Sequence, residues 1–228
     1  MVNLRLGTNG QFIQYMQNHP IPSVTDPLQY RAIGIVRGIY KPQDNENFTR
    51  GTLIDSEGNE IDSVVLGRVI TLIRNHVSLE KPHLWVVYPR SRNNQNLHLQ
   101  ITGIWEPSTL QREEKEKDQL NESSSINIDS DELLEGDDYF SIRGELIFTK
   151  PKEKELVIRI RQMPRNQQKK ALPFKVNLKG EIPINHLKKF ISLEVRRVGY
   201  QLHVEDFQII GPIPKTPINN KIRKNLER

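Results

Sequence analysis

The stretch that decides the fold runs Gly51-Thr52-Leu53-Ile54, then Ser56-Glu57-Gly58-Asn59, then Glu60-Ile61-Asp62-Ser63-Val64-Val65-Leu66. Two alternating, β-branched runs are joined by a turn whose glycine supplies the positive φ of a tight hairpin, so they read as an antiparallel pair. Directly after them Val69, Leu72, Ile73, His76 and Val77 recur at helical spacing, with Arg68, Thr71, Arg74 and Asn75 on the opposite side. That spacing predicts one short amphipathic helix. Ala32 to Arg37 reads as a strand before this block, and His83 to Tyr88 and Leu97 to Trp105 as two strands after it. Three strands, a helix and two strands is the order of the five-stranded Greek-key barrel known as the OB-fold.

The second half repeats the strand count: Tyr139 to Lys150, Glu155 to Met163, Leu172 to Lys179, Phe190 to Val198 and Tyr200 to Gly211. Ile184 to Lys189 has room for one helical turn at most. An internal repeat ties the halves together. Leu97-His98-Leu99 and Leu202-His203-Val204 sit in the two last strands, and Arg37-Gly38 and Arg143-Gly144 in the two first strands. The expected architecture is mainly β: a barrel over 31–107 with one short helix, and a second barrel over 138–214. Residues 1–30 form an N-terminal extension in which Gln11 to Met16 reads as a short helix, and Pro20, Pro22 and Pro27 interrupt any regular element.

Charge divides the chain further. The net +5 of the 228 residues is made of +2 over 1–105, −9 over 106–138 and +12 over 139–228. Residues 108–137 are rich in Glu, Asp, Ser and Asn and carry no aromatic residue, the composition of a disordered acidic linker. Residues 215–228 read as a basic tail. The chain has no cysteine, which excludes disulfides, thiolate metal sites and a cysteine nucleophile. No apolar run reaches the length of a membrane span and the first thirty residues lack a signal-sequence pattern, so the expected location is cytoplasmic.

Chemistry leaves little trace. There is no GxGxxG, P-loop, GxSxG or HExxH motif, and the histidines His19, His76, His83, His98, His186 and His203 never stand at the spacing of a helical metal pair. No enzyme, metal or cofactor is expected, and His98 and His203 read as outward-facing strand residues.

The coherent feature is a basic strand pair. In Leu156-Val157-Ile158-Arg159-Ile160-Arg161 the aliphatics share one face and the two arginines the other. In the next strand Lys175 and Lys179 face outward, with Arg165, Lys169 and Lys170 in the loop between. Arg143 and Arg196 extend the patch from neighbouring strands. In an OB-like barrel the second and third strands carry the oligonucleotide surface, which makes RNA or single-stranded DNA the expected partner. In the first half, Arg90 and Arg92 are further phosphate contacts, with Tyr40, Phe48 and Tyr88 as stacking candidates. Trp85 reads as core. The alternative is a protein-interaction adaptor docking on an RNA-processing, ribosomal or transcription assembly.

Several strings also resemble a known family. Arg31 to Gly38, Phe48 to Leu53, Pro82-His83-Leu84-Trp85-Val86-Val87-Tyr88-Pro89-Arg90 and Gly103-Ile104-Trp105-Glu106-Pro107, followed by an acidic spacer and Tyr139 to Glu145, are similar to cyanobacterial proteins of uncharacterised activity with two OB-like halves. The resemblance covers about residues 30 to 212. It implies a cyanobacterial cytoplasm and brings no catalytic residue to carry over.

Overall fold

The computed structural model describes residues 3–6, 12–15, 19–44, 48–91, 97–106, 133–162 and 172–213. Strands β1 (Asn3–Leu6) and β2 (Phe12–Tyr15) form an antiparallel hairpin of their own. The helix expected over Gln11 to Met16 is thus replaced by a strand. Six residues cannot offset the cost of nucleating an isolated helix, whereas a paired strand gains partners for its backbone groups at once.

Ten further strands form one continuous sheet that closes on itself twice. In the first barrel β3 (Arg31–Pro42), β4 (Arg50–Ile54) and β5 (Glu60–Val65) form an antiparallel meander, and helix α1 (Gly67–His76) follows. Strand β6 (His83–Ser91) pairs with β3, and β7 (Leu97–Ile104) closes the ring by lying antiparallel to β6 and parallel to β5. The turn between β4 and β5 carries Gly58 at φ +81°, as the hairpin reading requires.

The second barrel has the same connectivity. Strand β8 (Tyr139–Lys150) pairs with β9 (Glu155–Ile160), and β9 with β10 (Phe174–Lys179). Strand β11 (Lys189–Val198) returns to β8, and β12 (Gln201–Pro212) runs antiparallel to β11 and meets β10 in parallel at Lys179 and His203. A single 3-10 turn, Ile184–His186, stands where the first barrel has its helix. Each barrel is therefore a closed five-stranded ring with the third and fifth strands parallel, the OB topology.

The rings are joined through their first strands. Arg31 to Gly34 of β3 pair antiparallel with Arg143 to Phe140 of β8. Gly34 faces Phe140, and a Cβ there would lie 2.2 Å from the phenyl ring, so the junction admits only glycine without displacing that ring. One apolar cluster runs through both barrels, from Trp85, Leu53 and Ile101 to Phe140, Ile158 and Leu193.

A second cluster, Ile21, Ile33, Ile35, Leu84 and Val86, lies outside the first barrel. Residues 19–30 cover part of it and reach across to the second barrel, where Tyr30 packs edge-on against Phe190 at 5.0 Å. Leu133 packs on the same cluster, and Asp137 bonds Arg37 at 2.7 Å. The last residues of the expected linker are thus packed, because Leu133 finds an apolar face that composition alone does not reveal. Residues 107–132 lie outside the described residues.

A buried ion pair fixes the angle between the barrels. Arg197 bonds Asp55 of the first barrel at 2.8 Å and Asp138 at 2.7 Å, and the Arg197 and Asp55 side chains are 2% and 4% exposed. Burial would raise the Asp55 carboxyl, but hydrogen bonds from Asn59 and Arg197 outweigh it and hold the group below its ordinary value. Removing one member of such a pair strands a buried charge. Arg197→Met is expected to cost about 3–5 kcal/mol in urea denaturation; a loss below about 1 kcal/mol would show that the pair does not hold the barrels.

Candidate nucleic-acid interface

Strict alternation builds the outer face of the second barrel. On β9, Leu156, Ile158 and Ile160 are buried, while Val157 and Arg159 face away from the core; on β10, Val176 and Leu178 are buried beside outward Lys175, Asn177 and Lys179. The register sets these side chains in rows. Glu145, Arg159 and Lys175 form one row, Phe148, Val157 and Asn177 the next, and Lys150, Glu155 and Lys179 the last.

One carboxylate organises the first row. Glu145 is fully buried and accepts hydrogen bonds from the Tyr30 hydroxyl at 2.5 Å and from Arg159 Nε at 2.8 Å, and it also pairs with Arg161. The Arg159 and Arg161 side chains remain 39% and 32% exposed. Lys179 bonds Glu155 at 3.1 Å, and Lys150 bonds Glu153 at 3.1 Å. Lys175 is exposed and has no ion-pair partner among the described residues. Five cations on this surface thus stand against three carboxylates, with Lys175 at the β10 end of the first row.

Several expected contacts lie elsewhere. Arg143 is buried: its guanidinium donates to Ser192 Oγ at 2.7 Å and to the Pro27 carbonyl at 2.6 Å, because residues 19–30 cover this part of β8. Arg196 bonds Glu205 and donates to the carbonyls of Glu135 and Asp137, which ties down residues 135–137. Arg90 stacks over the Phe174 ring at 3.6 Å in the seam between the barrels, and burial lowers its pKa. Arg92, Arg165, Lys169 and Lys170 lie outside the described residues.

The first-barrel aromatics are mostly internal. Tyr40 is fully buried, donates to the Phe48 carbonyl at 3.0 Å and meets Trp85 edge-on at 6.0 Å; burial pushes its hydroxyl up to about 12. It cannot offer a ring to a base. Phe48 packs against the core beneath the Arg74 guanidinium, and Tyr88 packs on the outer cluster. Trp85 is core, its indole bonded to the Gly38 carbonyl at 2.8 Å. His98, expected to face solvent, is buried against Asp62.

The reading from sequence missed Phe148, which is 38% exposed. The register between β8 and β9 shifts between Leu146 and Phe148, a β-bulge that adds Ile147 and turns the following side chains over. Simple alternation from Glu145 sends Phe148 inward; the bulge sends it out and Thr149 in.

Two closed barrels of this topology, one with a basic outer face on its first three strands, make this a tandem OB-fold protein. Residues 32–112 match the family described as the PatR RNA-binding protein N-terminal OB-fold domain, and residues 142–211 match the cyanobacterial OB-fold-like RNA-binding domain, C-terminal. The chain belongs to this cyanobacterial family of paired OB-fold halves. No curated protein matches it.

The Glu145 cluster has a pH signature. Burial would raise this carboxyl, but hydrogen bonds from Tyr30, Arg159 and Arg161 outweigh burial and hold it below its ordinary value. A group so depressed stabilises the fold above the usual carboxylate range, and that contribution is lost as pH falls through the folded-state value. Glu145→Gln lacks this titration. The difference in urea stability between wild type and Glu145→Gln is therefore expected to be full at pH 7 and to narrow on acidification toward about pH 3; a constant difference would exclude the ionised carboxylate as its source.

Proposed function

We propose that the protein binds RNA, without catalysing a reaction, through the outer face of β8, β9 and β10. The observation that carries this reading is the cluster of Lys150, Arg159, Arg161, Lys175 and Lys179 on one solvent-facing sheet surface, in excess over its carboxylates. Guanidinium and ammonium groups spaced along paired strands suit a phosphate backbone, whose neutralisation releases condensed counterions and drives binding. The matched families, both described as RNA-binding, support RNA as the polyanion.

The roles follow from the geometry. Lys175, free of an acidic neighbour, contacts phosphate directly. Arg159 and Arg161 are held in place by Glu145, so little side-chain entropy remains to be lost when a phosphate oxygen approaches their exposed edges. Arg143 and Tyr40 have no part in the surface, because burial removes both from contact. Among the described residues no group of three or more His, Asp or Glu side chains is placed to hold a metal ion.

Fluorescence anisotropy of a labelled single-stranded RNA against the full chain, across a series of salt concentrations, tests this. The affinity is expected to fall with salt with a log–log slope of about −2 to −3, as for three or four phosphate contacts on a single strand. Lys175→Ala should weaken binding across sequences and reduce the slope by about 0.7. Absence of binding even at low salt would assign the basic face to protein docking instead.

A further inference from the structure

The basic face is not flat where it meets the first barrel. A cleft of about 710 Å³ opens there, lined by Phe148 and Val157 of β8 and β9, by Lys175, Asn177 and Lys179 of β10, and by Tyr200 beside β12, with Ser91 and Leu97 of the first barrel on its far side. The volume lies within the roughly 300–1,000 Å³ of sites that enclose small ligands. We infer that this cleft between the barrels is a stacking site for unpaired nucleotides of RNA, with bases against Phe148 and Tyr200 and phosphates on Lys175 and Lys179. The inference rests on the RNA-binding reading and adds to it the strand state of the ligand and the part played by the first barrel.

Three observations carry it. The bulge at Ile147 turns a phenyl ring out of the barrel and into the cleft, leaving it 38% exposed opposite Val157. A strand that spends an extra residue to expose an aromatic side chain is built for contact, since bulges serve to re-aim side chains. Tyr200, 53% exposed, supplies a second ring at the tip of the β11–β12 hairpin, where Gly199 at φ +55° makes the turn. Its hydroxyl accepts the Glu60 backbone N–H of the first barrel at 3.3 Å, which anchors the ring before any ligand arrives.

The third observation is the wall. Ser91 Oγ of the first barrel accepts the Asn177 N–H at 3.0 Å, which holds the end of β6 against the side of β10. The ligand therefore meets both barrels at once. Polar and charged residues line the cleft beside the rings: Asn177, Gln201, Lys175 and Lys179, with Glu155 as the partner of Lys179. Aromatic faces with flanking cations are the arrangement by which proteins hold single strands. In a duplex each base face is already covered by its neighbours, so these rings gain nothing from paired RNA.

The test compares a fluorescein-labelled oligouridine with an RNA duplex of equal length, titrated with full-length wild type, Phe148→Ala and Phe148→Trp across a series of salt concentrations. Circular dichroism melting establishes that each variant is folded. Phe148→Ala is expected to weaken single-strand binding about 5- to 150-fold while leaving duplex binding and the salt slope unchanged, and Phe148→Trp to restore it. Ultraviolet crosslinking of 5-iodouridine-substituted oligouridine to the wild-type chain should label the peptide that contains Phe148. If single-stranded RNA binds with a clear salt slope but Phe148→Ala is neutral, or if duplex binds equally well and suffers equally, the cleft is not a stacking site and the basic-face reading stands without it. If no RNA binds at any salt concentration, both readings fall.

Discussion

The antiparallel pairing of Arg31–Gly34 with Arg143–Phe140 is the constraint on which the rest of the molecule depends. Each strand already has two partners within its own barrel: in β3 the shared residues Arg31–Gly34 precede most of those bonded to β6 and β4, whereas in β8 the shared residues Phe140–Arg143 carry β11 on their other edge and β9 pairs further along. Once the two first strands are bonded, the barrels can no longer turn independently. Ser91 is then brought to Asn177, Asp55 to Arg197, and the Glu60 amide to Tyr200. These contacts are reciprocal: the hairpin between the last two strands of each barrel touches the third strand, or the hairpin leading into it, of the other.

The shared edge also divides the labour between two similar halves. Outward residues of β3 and β6 are covered by Ile21, Leu133 and Trp105 and have become a small core of their own. Outward residues of β9 and β10 have no such cover among the described residues and, Val157 apart, are polar. Two barrels of one topology thus differ in that one has its outer surface covered by the chain and the other has it open to solvent. Glu145 sits where the two regimes meet, bonded by Tyr30 from the covering segment on one side and by Arg159 on the other.

Much of this was legible in the residues. Alternation located all ten barrel strands, the Gly58 turn identified a hairpin, and the spacing from Val69 to Val77 placed the helix, because each of these signals is local. The orientation of Arg159, Lys175 and Lys179 followed from the same period of two. The misreadings came from distant segments or from a break in that period. Arg143 alternates outward as expected, yet residues 19–30 lie over it; Tyr40 flanks a loop, yet points inward between Leu53 and Trp85. Phe148 was hidden by a single added residue, which no pattern of hydrophobicity marks. Leu133 belonged to a segment judged by its charge rather than by the apolar face waiting for it.

The anchoring of Glu106 and Leu133 has a consequence for how such a chain can change over time. Glu106 is held by the buried His83 and Leu133 by the outer cluster, so the connecting segment 107–132 enters and leaves at fixed points. Among the described residues, the contacts that join the barrels all lie outside that segment. Lengthening a connection with pinned ends costs only about 0.6 kcal/mol for each doubling. Because both ends are pinned and the described joint uses none of its residues, a change of length in that segment need not be accommodated by the strand pairing and ion pair that join the barrels.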